Sequence, residues 1–214
     1  MLERDRYNGI CRGNDSGYKK VKTIELKYGN TNTFYIEGDA GGLLVDTDYA
    51  GTLFAFYKAI KAAGIRVTDI KYVLATHYHP DHCGLVSELM QQGVQLLLPD
   101  VQKDGVHYSD AIFTRDGLSY TPIEEEKATV IPCAESRAFL AGLGIAGQIM
   151  HTPSHSPDSV SLALDNGDLF VGDLEPLEYI AAYEDNTQLK ADWEQILAIH
   201  PKRICYAHRP TQMR

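Results

Sequence analysis

The sequence predicts an α/β fold in which two β-rich halves pack sheet to sheet, with helices outside. Three observations predict it. Short apolar runs bounded by Gly, Asn, Asp and Pro recur along the 214 residues, as strands and their turns do. The order strands, helix, strand occurs in each half of the chain. Each of those last strands delivers a histidine at its carboxyl end, His77 in the first half and His208 in the second. The duplication is one of architecture, with no sequence repeat beneath it. A chain of this length suits one core, so residues 1–214 are expected to form a single domain.

Taken in order, residues 1–20 are polar and predict no element. Val21 to Leu26 and Thr33 to Glu37 read as strands joined at Gly29-Asn30, and Leu43-Leu44-Val45 as a short buried strand ending at Asp46. Thr52 to Ala63 places Leu53, Phe54, Phe56, Tyr57 and Ile60 at helical spacing and stops at Gly64, the residue favoured just past a helix. Lys71 to Thr76 reads as a strand, Leu85 to Gln92 as a helix and Val94 to Leu98 as a strand. Segment 100–120 is irregular and polar, readable as a helix and a loop, and a connection of that length often carries function. Thr129 to Ile131, Arg137 to Leu140 and Ile145 to His151 read as strands. Ser159 to Leu164 and Leu169 to Gly172 form a hairpin about Asn166-Gly167. Leu189 to Ile199 is an amphipathic helix whose Trp193 anchors a core, and Arg203 to Tyr206 is the last strand.

Hydrophobic residues make up 44% of the chain and charged residues 23%, the balance of a soluble globular protein. The formal net charge is −9 with no Lys/Arg-rich run, which argues against nucleic acid as a partner. No apolar stretch reaches the ~18–20 residues that span a bilayer, and the charged amino terminus lacks an apolar signal core. Cys11, Cys83, Cys133 and Cys205 are widely spaced, as in a reduced, cytoplasmic protein. The expected partner is a small-molecule substrate, without a membrane. A homo-oligomer is compatible with the sequence, and nothing in it specifies one.

The densest chemistry lies in Thr76 to Gly84, THYHPDHCG. His77, His79, Asp81 and His82 fall within six positions just after an apolar run. Crowding such groups at a strand end is costly unless something pairs them, and imidazole with carboxylate is a standard ligand set for a divalent metal. Cys83 is either a further approach to that metal or a buried thiol. Four more polar residues stand where strands end: Asp46, His155 in HTPSHSPDS, Asp173 after Phe170-Val171-Gly172, and His208 after Cys205-Tyr206-Ala207. Singly, each reads as a loop or capping residue. Together with the knot they place five strand ends at one rim of a β-sandwich.

On these residues the chain resembles the metallo-β-lactamase superfamily, over about residues 21–208. THYHPDH matches its HxHxDH signature, TPSHS resembles its T-P-G-H-T turn, and FVGD, LLVDT and YAHRP resemble its other strand-end motifs. Ser154 stands in place of the usual glycine, and Tyr206-Ala207 in place of Pro-Gly. The likeness is to small members of the hydroxyacylglutathione-hydrolase and lactonase kinds. It implies a four-layer αβ/βα sandwich of two mixed sheets flanked by helices, with two divalent metals at one edge. Zinc suits so His-rich a set, with iron or manganese as alternatives. Carried over, His77, His79 and His155 would hold the first metal. Asp81, His82 and His208 would hold the second, with Asp173 bridging. Asp81 would also be the catalytic carboxylate, and Asp46 would support a ligand imidazole, with Asp48 a weaker candidate for that role. His151 is at best a supporting residue.

The activity implied is hydrolysis by a hydroxide held between the metals, on a small ester, thioester or lactone. The commonest zinc β-lactamases carry Cys where Asp173 stands, and acyl-homoserine lactonases carry Tyr where Pro176 stands. Hydroxyacylglutathione hydrolases add a helical carboxyl-terminal region, and the RNA-processing members a basic arm. Tyr179 and Tyr183 read first as helix-surface or core residues, with donation to an oxyanion as the alternative. A mononuclear iron persulfide dioxygenase and a metal-retaining binding module are the other readings. The substrate pocket is expected between segments 100–120 and 174–188.

Overall fold

The computed structural model describes residues 21–183 and 185–214. Residues 1–20, and with them Cys11, lie outside the described residues. The first sheet has six strands in sequence order: β1 (Lys22–Leu26), β2 (Thr33–Glu37), β3 (Gly42–Val45), β4 (Ile70–Leu74), β5 (Gln95–Pro99) and β6 (Thr129–Ile131). Its first three strands pair antiparallel and the rest parallel. The second sheet runs in the order β11 (Gln212–Met213), β10 (Arg203–Tyr206), β9 (Asp168–Gly172), β8 (Val160–Leu164), β7 (Gly147–His151). Only its β9–β10 pair is parallel. Both sheets are therefore mixed, as the sequence reading expected.

Alternation along the strands builds four layers. Phe34 and Ile36 of β2, Leu43 and Val45 of β3, Tyr72 and Leu74 of β4 and Leu97 of β5 face the second sheet. They meet Val160, Leu162 and Leu164 of β8, Phe170 of β9 and Cys205 of β10. The intervening residues, Tyr35, Leu44, Val73, Leu96 and Leu98, point outward onto helix α1 (Leu53–Ala62) and its neighbours. On the far side Ala163, Leu169, Val171 and Ile204 pack under Trp193, Leu189 and Ile196 of α6 (Thr187–Ala198). Both faces of each sheet are covered, which is why these strands read as continuous apolar runs. Each large side chain so buried contributes about 1.5–3 kcal/mol.

Short helices fill the connections: α2 (Pro80–Cys83), α3 (Val86–Met90), α4 (Asp110–Arg115) and α5 (Ser136–Gly142). The last corrects the sequence reading, which expected a strand over Arg137 to Leu140. Four residues are too few for periodicity to separate helix from strand. The helix start is set from outside, where Ser136 Oγ accepts the Ile149 N–H at 2.9 Å and donates to Cys133 O at 2.6 Å. Segment 100–120 holds a 3₁₀ helix over Asp100–Gly105 followed by α4. Cys83, Cys133 and Cys205 are unpaired, and burial pushes their thiols up to about 12, 11 and 11. Cys83 takes the second of its two readings, a buried thiol whose Sγ donates to Tyr78 O at 3.7 Å. Among the described residues no helix is long and apolar enough to cross a membrane.

Candidate metal centre

Strand ends from both sheets converge where the sandwich opens. The two sheets are tied there by Val160 N donating to Thr76 O at 2.8 Å. Gly172 has a φ of 56°, and a Cβ on it would stand 2.3 Å from Thr76 Oγ1, so only glycine lets β9 approach β4 this closely. Parallel pairing of β9 and β10 matches Gly172 with Tyr206. Asp173 and His208 therefore leave the sheet side by side, with His208 Nε2 3.3 Å from Asp173 Oδ1.

On the first sheet the chain turns from β4 into His77 and then into α2, where Pro80 takes a first-turn position that needs no N–H. His79 is that helix's N-cap, and Asp81 and His82 lie within it. All seven residues proposed as ligands meet. Three groups each bring one ligand atom per residue, an imidazole nitrogen or a carboxylate oxygen, within 4.8 Å of one another: His77, His79 and His155; His77, His82 and Asp173; and Asp81, His82 and His208. His155 Nε2 lies 3.1 Å from His79 Nδ1, and His208 Nε2 lies 3.0 Å from Asp81 Oδ2.

Asp46 organises the buried side of the cluster. Its φ is 59°, a left-handed conformation that a non-glycine residue holds only where surroundings enforce it. The carboxylate accepts from Thr76 N at 2.6 Å and Thr76 Oγ1 at 3.0 Å, and faces His82 Nδ1 at 3.2 Å. With its proton committed to Asp46, Thr76 Oγ1 is an acceptor toward His77 Nδ1 at 3.3 Å. One carboxylate thus selects the tautomer of two histidines and leaves both Nε2 atoms facing the cluster. His208 is set the same way by the Asn30 carbonyl, 3.0 Å from its Nδ1. Asp48 acts one step away, accepting from Asn30 N at 3.0 Å and Tyr49 N at 2.8 Å.

The donor set fits divalent metal. His77 Nε2, His82 Nε2 and Asp173 Oδ1 are buried and make no hydrogen bond within the described protein. The 3.4 Å approach of His82 Nε2 to Asp173 Oδ1 is an ion-pair contact of poor hydrogen-bond geometry. Buried polar atoms are otherwise nearly always paired, and these three belong to overlapping clusters. Burial, reinforced by the neighbouring imidazoles, holds His77 well below the usual histidine range and His79 below it. Their lone pairs are available at neutral pH. Burial would also lower His82, but Asp46 and Asp173 outweigh it and push His82 up to about 10. Metal entering that side must displace a proton. Burial raises Asp81, but His208 and His82 outweigh it and bring the carboxyl down to about 2.

The sequence reading missed Asp158. Its Oδ2 accepts from Tyr78 N at 2.8 Å, between His77 and His79, and its Oδ1 accepts from Ser156 Oγ at 2.7 Å, next to His155. One side chain thus ties the two loops of the first ligand set together. The only signal was Ser-Pro-Asp, a turn pattern. Gln102, fully buried, adds Nε2 contacts to Ala75 O, Thr76 O and Asp158 O at 3.0, 3.1 and 3.0 Å. Asp158→Ala is expected to weaken metal affinity about 10- to 100-fold, the usual effect of losing such a support, measured by competition with a chromogenic chelator. His151 serves its own turn, with Nε2 2.8 Å from Pro157 O. His107 pairs with Asp110 at 2.9 Å. Ser154, where glycine was expected, donates its N–H to the buried Asp192 at 2.9 Å.

A family model described as the metallo-beta-lactamase superfamily matches residues 26–208. The chain belongs to that superfamily. Its members bind divalent metals and are mostly hydrolases. A Drosophila melanogaster protein named beta-lactamase-like protein 2 homolog is 30% identical over 184 residues, 83% of this chain and 58% of the relative. An Aspergillus fumigatus atrochrysone carboxyl ACP thioesterase is 28% identical over 144 residues, 67% of this chain and 29% of that protein. The chain thus spans less than two thirds of the length of these curated relatives. The solved structure of TTHA1623 in a di-iron-bound form superposes with a TM-score of 0.66 at 24% identity, covering 90% of this chain and 94% of that one. This likeness confirms the four-layer fold.

Proposed function

We propose that the chain is a dinuclear metal-dependent hydrolase of small esters, thioesters or lactones. The observation that carries this reading is the set of buried atoms that make no hydrogen bond within the described protein, His77 Nε2, His82 Nε2 and Asp173 Oδ1, on overlapping ligand clusters. His77, His79 and His155 would hold one ion, and Asp81, His82 and His208 the other, with Asp173 between them. When bound, divalent ions supply Lewis-acid polarisation of a carbonyl and a water acidic enough to ionise near neutral pH. Zinc is the first choice for this donor set; the di-iron form of TTHA1623 supports iron as the principal alternative.

The chain's own residues supply position. Asp81, paired with His208 at 3.0 Å and ionised at neutral pH, would orient rather than donate a proton. Tyr108, with its ring 5.2 Å from that of His79, walls a cleft of about 520 Å³ formed with Val101, Gly105 and Pro157. A second cleft of about 190 Å³ runs past Asp173 and His208 to Pro176 and Arg209. Both lie on segments expected to form the pocket. Together they suit a small substrate reaching the cluster from two sides. The name of the Aspergillus relative supports a thioester among the substrates.

The test is a panel of esters, thioesters and lactones offered to zinc-, manganese- and iron-loaded protein. Saturable hydrolysis of at least one class, lost on chelation, is expected. One iron per chain with persulfide-dependent oxygen uptake and no hydrolysis would overturn the reading, and full metal content with no turnover at all would favour a binding module.

A further inference from the structure

The strand end that carries His208 continues into Arg209, which the hydrolase reading leaves without a role. Among the described residues lining the two clefts, Arg209 is the single Lys or Arg, in a chain of net charge −9. It is a held side chain. Its guanidinium lies 4.8 Å from the centre of the Tyr179 ring, and its Nη2 donates to Tyr179 Oη at 3.1 Å. The backbone beneath is fixed by Asn32, whose Nδ2 donates to Tyr206 O and Arg209 O, both at 2.9 Å, and whose N–H donates to Ala207 O at 2.7 Å. Among the described residues, the carboxylate in ion-pair reach is Glu178, 3.9 Å from Nη1 and half exposed, too far for a bidentate pair. The guanidinium fork therefore keeps donors for a planar anion. It lines the same cleft as Asp173 and His208.

We propose that Arg209 binds the carboxylate of an acidic acyl group, so that the preferred substrates are half-esters or half-thioesters of short dicarboxylic acids. The inference rests on the hydrolase reading and names its substrate class. The cleft of about 190 Å³ admits a short acyl chain with its free carboxylate at Arg209 and its carbonyl at the metal ligands. Hydrolysis then adds water's oxygen to the acyl carbon and breaks the carbon–sulfur or carbon–oxygen bond. The leaving thiol or alcohol takes one proton of the water, and the new acid releases the other. Tyr179 acts here as a platform for the guanidinium rather than as an oxyanion donor.

The test compares zinc-loaded wild type, R209K and R209Q on the N-acetylcysteamine thioesters of glutaric and butyric acids. The wild type is expected to favour the glutaryl compound, and R209Q to lose about 10- to 100-fold of that preference, the worth of a charged hydrogen-bonded contact. The loss should fall on KM. R209K, a point charge without the fork, should keep part of it. An undiminished preference in R209Q overturns the proposal. Calorimetric binding of glutarate and butyrate to the same proteins gives a readout independent of turnover. If no ester, thioester or lactone of the panel is cleaved, the hydrolase reading fails, yet a glutarate-over-butyrate preference that R209Q abolishes still supports Arg209. Equal discrimination by wild type and R209Q removes it.

Discussion

His77→Ala and Asp81→Asn are each expected to lower hydrolysis by about 10³-fold or more while leaving the fold intact. His77 belongs to two of the three ligand clusters, and its Nε2 has no other partner in the described protein. Asp81 is the carboxylate that pairs His208 on the second set. Lewis-acid stabilisation is worth several kcal/mol, and each 1.36 kcal/mol is tenfold in rate, which sets the size of the loss. Initial rates on the best substrate of the panel, alongside circular dichroism and bound metal, give the check. Turnover retained in either variant at full folding would place the chemistry elsewhere.

Trp193→Ala is expected to cost about 3–5 kcal/mol of stability, the usual range for emptying a large aromatic site. Trp193 is fully buried under the second sheet, against Leu169, Val171 and Ile204. It also donates Nε1–H to Glu175 O at 2.8 Å, two residues past Asp173. Trp193→Phe keeps most of the apolar burial and removes that donor, so it should cost about 0.5–1.5 kcal/mol beyond the lost area and loosen the segment behind Asp173. Urea midpoints for both variants separate the two contributions, and a Phe variant with wild-type stability and metal affinity would show that the indole only fills space.

These residues also show what was legible in the sequence. The knot at 77–82 was legible because its chemistry is costly without a partner, and Asp46, His155, Asp173 and His208 were legible because each stands at the end of an apolar strand. The αβ/βα layering was implied by motifs, and the structure shows its cause in strands with both faces covered. Asp158, Gln102 and Asn32 were not legible. Their hydrogen bonds span 80, 27 and 174 positions, and a polar residue in a loop carries no mark of a partner so distant. Helix α5 was misread for a similar reason, since Ser136 and Ile149 set its start from outside the four residues that were read as a strand. Arg209 was visible in YAHRP but carried no meaning until Tyr179 and Asn32 were seen to hold it.

The central claim is that two overlapping ligand sets bind two metal ions. The most direct measurement is elemental analysis of the zinc-loaded, desalted wild-type chain. The predicted result is two zinc ions per chain, falling in His77→Ala. One zinc ion or fewer per chain, or an unchanged content in His77→Ala, would contradict it.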